Sequence, residues 1–149
     1  MIESSVLHSY HLFDGIEKEQ IDNVLSLMKE ENYNAGAEII AEGTHNYKIY
    51  FILEGRAAVV KNGIIIQEIE EGAFFGEMEV LDVNPAAAAV SALVDTKIIY
   101  LSIDALGEIY DKDLKTYCFI IMNLAKDLSR KLRRLDVILT SESPPTDWS

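Results

Sequence analysis

Short apolar segments separated by glycine dominate the middle of this chain and limit the folds that it can adopt. The segments follow one another without long intervening helices, whereas parallel strands need a crossover connection of about a dozen residues or more. The pattern favours an antiparallel β sandwich or jelly roll over a parallel sheet. The five segments with the composition of strands are 38–41, 48–53, 56–61, 64–68 and 96–102.

A hairpin is predicted where Asn62 and Gly63 separate two of these segments. A two-residue type I′ turn needs positive φ at both positions, which asparagine and glycine tolerate best. Two runs, 64–66 and 98–101, are apolar without alternation. Periodicity does not decide whether such a run is buried on two sides or covered by a protein partner.

Helices are predicted on both sides of the β region. Residues 4–31 have helical patterning in two pieces with a turn at 11–15, and Asp14 is a candidate N-cap for the second piece. We therefore expect a helical lead at 1–32 and a jelly roll at 33–102. After the β region, Ser102 is predicted to cap a short helix over 103–110.

A long helix is predicted from about residue 113 to 139. Its apolar residues recur in steps of three and four, which places them in a stripe along one face of the helix. At 1.5 Å per residue the helix is about 40 Å long, which is longer than the surface that a small β domain offers for packing. We expect a homodimer through this helix, with packing back onto the domain as the alternative. The stripe consists of Tyr117, Ile121, Leu124, Leu128, Leu132 and Leu135.

The composition fits one soluble domain of 149 residues with a formal charge of −12. Residues 1–111 carry 6 basic and 20 acidic side chains, which disfavours binding to nucleic acid or an anionic membrane. The basic residues at 130–134 are interpreted as a solvated helix face. The start lacks a signal peptide, so a cytoplasmic location is expected. The tail at 141–149, with Trp148, is expected to be mobile and to leave no room for a DNA-binding domain.

The reactive side chains do not predict an enzyme. Cys118 stands among apolar residues and is expected to be a buried packing thiol. His8 and His11 are expected at the surface, without the further ligands that a metal site needs. Only His45 lies near a predicted strand, which is too little for a metal-dependent enzyme on a β barrel. Neither a catalytic residue nor a metal site is therefore predicted.

The stretch 72–92 breaks the strand pattern. Phe74 and Phe75 lead into Gly76, and a short helical run at 77–81 and a polar turn follow before Pro85. Glycine allows a close approach of the backbone to a ligand, and a helix that begins after it would direct free N–H groups at an anion. The stretch contains no lysine and no arginine.

Taken together, these motifs resemble the cyclic nucleotide-binding domains of catabolite-activator-type regulators, protein kinases and channels. The resemblance covers roughly residues 5–140. It implies a β jelly roll flanked by helices, a phosphate-binding cassette at 72–92 and a C-terminal helix that closes over the ligand and often dimerises. The motifs that carry it are GAEII at 36–40, YFILEG at 50–55, GAFFGE at 72–77 and NP at 84–85.

The resemblance also implies the ligand contacts. Gly76 matches the glycine of the cassette, Glu77 the glutamate that accepts the ribose 2′-hydroxyl, and the amides of Glu77 and Met78 would face the cyclic phosphate. After Asn84 and Pro85 the family pattern has an arginine that pairs with the phosphate and then a small residue. This chain has alanine at both positions. The expected ligand-binding residues are Phe75, Gly76, Glu77, Met78, Pro85, Ala86 and Ala87.

Two functions follow from this comparison. In the first, the chain is a non-enzymatic regulatory module that binds cAMP and cGMP weakly and acts through an altered ligand or a protein partner. In the second, it is a cAMP or cGMP sensor in signal transduction or transcriptional regulation. The sensor would use Glu77, the backbone amides and a cation from elsewhere, such as Arg56 or Lys61. No other cofactor is expected.

Overall fold

The structure is a computed structural model that describes residues 2–142, with side chains for residues 2–140. The chain begins with a short helix and a 3₁₀ turn, continues through eight strands interrupted by one small helix, and ends in two helices. The helices are α1 (Ser4–Leu7), α2 (Lys18–Leu27), α3 (Glu77–Asp82), α4 (Ile103–Lys112) and α5 (Leu114–Glu142), and the 3₁₀ turn is His11–Phe13. The strands are β1 (Lys29–Tyr33), β2 (Glu38–Ile40), β3 (Lys48–Glu54), β4 (Arg56–Lys61), β5 (Ile64–Glu70), β6 (Phe74–Phe75), β7 (Ala89–Ala92) and β8 (Thr96–Ser102).

The strands form two four-stranded antiparallel sheets with the orders β1-β8-β3-β6 and β2-β7-β4-β5. Successive strands mostly alternate between the sheets, so the sheets are linked by many short connections. The prediction of a mainly β jelly roll with flanking helices and a long C-terminal helix is confirmed.

Strand β3 separates the two halves of the core. Its side chains alternate, because successive residues of a strand point to opposite faces. Ile49 and Phe51 pack with the helices, and Tyr50 and Ile52 pack between the two sheets. The β core therefore lies between the sheets, and a second apolar layer joins the first sheet to α2, α4 and α5.

The two unbroken apolar runs have different environments. Ile98 lies between the sheets and Ile99 faces the helices, so this run is buried on both sides. Ile64, Ile65 and Ile66 are instead 67%, 51% and 61% exposed on an edge strand. The hairpin before them is confirmed, since Asn62 and Gly63 have φ values of 52° and 74° and join the antiparallel strands β4 and β5.

The prediction for the N-terminal region was partly wrong. The helical pattern ends at Leu27, and residues 29–33 form β1, which pairs with β8. The segment KEENY is a polar edge strand without an apolar alternation, which explains why pattern alone assigned it to a helix. The N-cap of α2 is Glu17 rather than Asp14.

The C-terminal helices begin at side-chain caps. The Ser102 hydroxyl oxygen accepts a hydrogen bond from Ala105 N–H at 3.1 Å, as predicted, and Asp113 Oδ1 accepts one from Thr116 N–H at 3.1 Å. Cys118 is exposed, which corrects the prediction of a buried thiol. The buried face of α5 includes Thr116 and Asn123, whose polarity hides it from a search for apolar periodicity.

Helix α5 is held to the N-terminal region by Asn123. Its amide Nδ2 donates hydrogen bonds to the carbonyl oxygens of Leu12, at 2.8 Å, and of Asp14, at 2.9 Å. Ile120 and Leu124 are buried beside it. The predicted tail beyond residue 142 lies outside the described residues. Among the described residues, no helix is both long and apolar enough to cross a membrane.

Candidate ligand-binding cassette

The candidate cassette is built around Gly76, which lies between β6 and α3. Its φ of 86° belongs to the left-handed region that favours glycine. A Cβ atom at this position would lie 2.7 Å from Asn46 Nδ2 and 2.8 Å from the carbonyl oxygen of Lys48. Both the backbone conformation and the lack of space therefore require glycine here.

Asn46 holds this turn against β3. Its Nδ2 donates to the carbonyl oxygens of Gly76, at 3.0 Å, and Lys48, at 2.7 Å, and its Oδ1 accepts a hydrogen bond from Lys48 N–H at 3.2 Å. The side chain is buried, with 7% exposure. Sequence reasoning missed this residue, because a single asparagine in a loop carries no signal of the distant carbonyl group that it binds.

Glu77, the first residue of α3, has a buried carboxylate. Only 4% of its side chain is exposed, and its Oε1 lies 2.5 Å from Nζ of Lys131 on α5. These residues are 54 positions apart in the chain. Pairing with an ammonium group offsets much of the cost of burying this carboxylate, which would be high for an unpaired charge.

Lys131 makes further contacts with the groups around it. Its Nζ lies 3.0 Å from Oδ2 of Asp127, one turn earlier on α5, and 5.6 Å from the centre of the Phe74 ring. Burial lowers the pKa of Lys131, but Glu77 and Asp127 outweigh burial, so the pKa lies above its usual value. The ammonium group therefore remains charged at neutral pH.

A cavity of about 560 Å³ lies between the cassette, the second sheet and α5. This volume is in the range of small-molecule sites, which typically measure about 300–1,000 Å³. Two cations of α5, Lys131 and Arg134, line it together with His11. The carboxylates that line it are Glu68, Glu70, Glu77, Glu79, Asp82 and Asp127.

The residues expected from the sequence lie at or near this cavity. Ala86 is not part of the lining and is buried, with 3% exposure, in the apolar cluster between the sheets. Its neighbours there include Ile40, Tyr50 and Phe75. The expected residues that line the cavity are Phe75, Gly76, Glu77, Met78, Pro85 and Ala87.

The two cations suggested for the alternative function lie elsewhere. Lys61 Nζ donates to the carbonyl oxygen of Ala87 at 2.6 Å and lies 3.2 Å from Glu42 Oε1, so it touches the backbone of the cassette from outside the cavity. Arg56 begins β4 opposite Glu70 and does not line the cavity. The cations that do line it come from the cluster at 130–134, which the sequence analysis assigned to solvent.

The same sequence profile and fold occur in known proteins. The profile of the cyclic nucleotide-binding domain family matches residues 30–113. The chain belongs to the cyclic nucleotide-binding domain family. This match confirms the family that the sequence motifs suggested.

Relatives of this cyclic nucleotide-binding domain include longer regulatory proteins. The chain is 29% identical to the cyclic AMP receptor protein of Thermus thermophilus over 133 residues, which cover 86% of the chain and 60% of the relative. It is 35% identical to the cAMP-dependent protein kinase regulatory subunit of Aspergillus niger over 101 residues, which cover 64% of the chain and 24% of the relative. The chain thus spans less than two thirds of either protein.

A solved structure has the same fold over nearly the whole chain. The cyclic nucleotide-binding domain from Methylobacillus flagellatus KT superposes with a TM-score of 0.83, covering 97% of this chain and 84% of that chain at 22% sequence identity. Among the described residues, no cluster of three or more His, Cys, Asp or Glu side chains is arranged to hold a metal ion.

Proposed function

We propose that this domain is a non-enzymatic regulatory module that does not bind cAMP or cGMP tightly and acts through another ligand or a protein partner. The observation that supports this most directly is the environment of Ala86. In the family pattern, the residue after Pro85 is the arginine that pairs with the cyclic phosphate. Here it is an alanine packed among apolar side chains, and residues 72–92 contain no lysine or arginine.

The missing guanidinium has a large expected effect on affinity. Loss of one partner from a desolvated, hydrogen-bonded ion pair costs on the order of 2–5 kcal/mol. At about 1.4 kcal/mol per tenfold, this corresponds to roughly 30-fold to several thousand-fold weaker binding. A cyclic nucleotide that normally binds at about micromolar concentration would then need roughly tens of micromolar to millimolar concentration.

The charges around the cavity act in the same direction. Six carboxylates and two cations line it, so its field disfavours an anionic ligand. One of the cations, Lys131, already forms ion pairs with Glu77 and Asp127. The field instead suits a neutral or cationic small molecule.

A second function, that of a cyclic nucleotide sensor, is favoured by Arg134. This residue lines the cavity on α5, and its guanidinium is a cation that the sequence analysis did not assign to the site. If the phosphate bound near α5 rather than near Ala86, Arg134 would replace the missing arginine. Lys61, at the backbone of Ala87, is the other candidate cation.

Calorimetric titration of the domain with cAMP and with cGMP separates the two functions. We expect no binding at micromolar concentration of either nucleotide. A micromolar dissociation constant that is lost in Glu77→Gln and in Arg134→Ala would establish the sensor instead. Arg133→Ala, next to Arg134 on the exposed part of α5, is the matched control and should change nothing.

We further propose that α5 mediates a homodimer. Residues 132–140 of the helix are all exposed, and they include Leu132 and Leu135 with 63% and 54% exposure. An apolar stripe on a helix that extends beyond its own domain is typical of a helix pair. The two residues continue the stripe that begins at Tyr117 on the packed half of the helix.

A further inference from the structure

The ammonium group of Lys131 occupies a site that is built to hold a cation. Glu77 Oε1 lies 2.5 Å from it, Asp127 Oδ2 lies 3.0 Å from it, and the centre of the Phe74 ring lies 5.6 Å away. Two carboxylates and an aromatic face are the groups that proteins use to bind ammonium ions. Glu77 belongs to the cassette, whereas Lys131 belongs to α5.

Lys131 also marks the point at which α5 leaves the domain. Asn123 fixes the helix to the N-terminal region about two turns earlier, and Leu124 is buried beside it. Lys131 is half-buried, and every residue from 132 to 140 is exposed. The contact with Glu77 is therefore the outermost ion pair that ties α5 to the body of the domain, among the described residues.

We propose that Lys131 is an intrinsic ligand of the cassette, which holds α5 over the cavity until another molecule takes its place on Glu77. The inference rests on the proposed function, because it explains how a domain of this family closes its cassette without a nucleotide. It assigns to Glu77 a second role, as the attachment point of α5.

The burial of Glu77 determines what can displace Lys131. A carboxylate with 4% exposure is strongly destabilised when it loses its partner, because neither water nor another cation can reach it freely. A displacing ligand must therefore bring a strong donor of its own, such as an ammonium or guanidinium group. When Lys131 leaves Glu77, the outer part of α5 loses its attachment, so ligand binding and helix release are coupled.

Hydrogen exchange of the full chain tests the attachment. In Lys131→Ala, amide exchange in the part of α5 from residue 125 onward should be faster by roughly 5- to 150-fold, the range of typical coupling between sites. Lys126→Ala, which removes an exposed lysine of the same helix, is the matched control and should match the wild type. Equal exchange in both variants would overturn the proposal. Lys131→Met retains the aliphatic stem, and should behave like Lys131→Ala if charge rather than packing is responsible.

Binding of a free alkylammonium ion tests whether the site holds an ammonium group. Propylammonium replaces the three carbons and the nitrogen that Lys131→Ala removes, so in calorimetric titration it should bind this variant more tightly than the wild type. Exchange in α5 of Lys131→Ala should stay fast when propylammonium is bound, because the free ion is not attached to the helix. Glu77→Gln/Lys131→Ala should not bind propylammonium, and sodium chloride at the same ionic strength is the control. Equal binding of propylammonium to the wild type, Lys131→Ala and the double variant would overturn the assignment of Glu77 as an ammonium site. These measurements are independent of nucleotide affinity, so the two proposals can fail separately. Tight cAMP binding would refute the proposed function, whereas unchanged exchange in Lys131→Ala would refute the role of Lys131.

Discussion

The backbone N–H of Ala86 donates a hydrogen bond to the carbonyl oxygen of Thr44 at 2.8 Å. In return, Gly43 N–H donates to the carbonyl oxygen of Ala86, also at 2.8 Å. This pair of bonds fixes the residue after Pro85 to the segment between β2 and β3. The backbone therefore sets the direction of any side chain at position 86. Both hydrogen bonds use backbone atoms only, so they do not depend on which side chain stands there.

Ala86→Arg should raise the affinity for cAMP by about 30-fold or more, because it restores a charge-assisted contact worth at least about 2 kcal/mol. It should also lower the melting temperature, since the side chain starts among apolar residues. Calorimetry at millimolar cAMP measures the first effect. Ala125→Arg, which adds the same charge on the exposed face of α5, is the control. Unchanged affinity in a folded Ala86→Arg variant would show that the position no longer faces a phosphate site.

Gly76→Ala should destabilise the domain more than Gly72→Ala does. Both glycines have a φ of 86°, but only Gly76 has atoms within 3 Å of the added Cβ. The left-handed conformation costs about 1–2 kcal/mol in either variant, and the clash with Asn46 and Lys48 adds to it only in Gly76→Ala. We expect an additional loss of at least about 1 kcal/mol in the free energy of unfolding, measured by urea denaturation. Equal losses would mean that the turn moves away from β3 without cost.

Local signals predicted most of the β domain. The Asn62–Gly63 turn, the cap at Ser102 and the apolar segments around them are each decided by a few neighbouring residues, and the structure confirms them. Strand β1 was missed because its polar sequence is stabilised by pairing with β8, about 70 residues away in the chain. Such pairing leaves no trace in local periodicity.

The candidate site was predicted only in part for the same reason. Motifs located Gly76 and Glu77, because the cassette is one continuous stretch. The partner of Glu77 comes from α5, and the turn is held by Asn46, so neither contact is visible without the fold. Lys131 follows Asp127 by four residues, a spacing that places both on one helix face. That spacing was the only local indication that this lysine is not simply solvated.

Replacement of both Leu132 and Leu135 by lysine should convert the proposed dimer into a monomer. The charges would meet across the helix pair in an apolar seam, which strongly disfavours association. Ser129→Lys, on the exposed face of the same helix, should remain dimeric. Sedimentation velocity distinguishes the species. A wild-type chain that sediments as a monomer at tens of micromolar would contradict the dimer itself.

The domain should lose stability between pH 10 and 12. Burial raises the pKa of Tyr10 to about 12, with a smaller contribution from Glu71, and burial together with Glu31 raises the pKa of Tyr50 to about 12. In the unfolded chain these hydroxyls lose their protons near pH 10. The unfolded state thus binds fewer protons in this window, and the free energy of unfolding falls by about 1.4 kcal/mol per pH unit for each tyrosine.

Lys131 contributes to the same loss of stability at high pH. Its pKa is higher in the folded state than in the unfolded chain, so its charge stabilises the fold at lower pH, and this contribution is lost as the pH rises through the folded-state pKa. Urea denaturation at intervals from pH 8 to 11.5 measures the slope. Tyr50→Phe should make the decrease in the free energy of unfolding with pH smaller by about 1.4 kcal/mol per pH unit, which corresponds to one proton. Tyr47→Phe, in which the replaced ring is 52% exposed, should retain it. A free energy of unfolding that stays constant above pH 10 would mean that the buried hydroxyls ionise without opening the core.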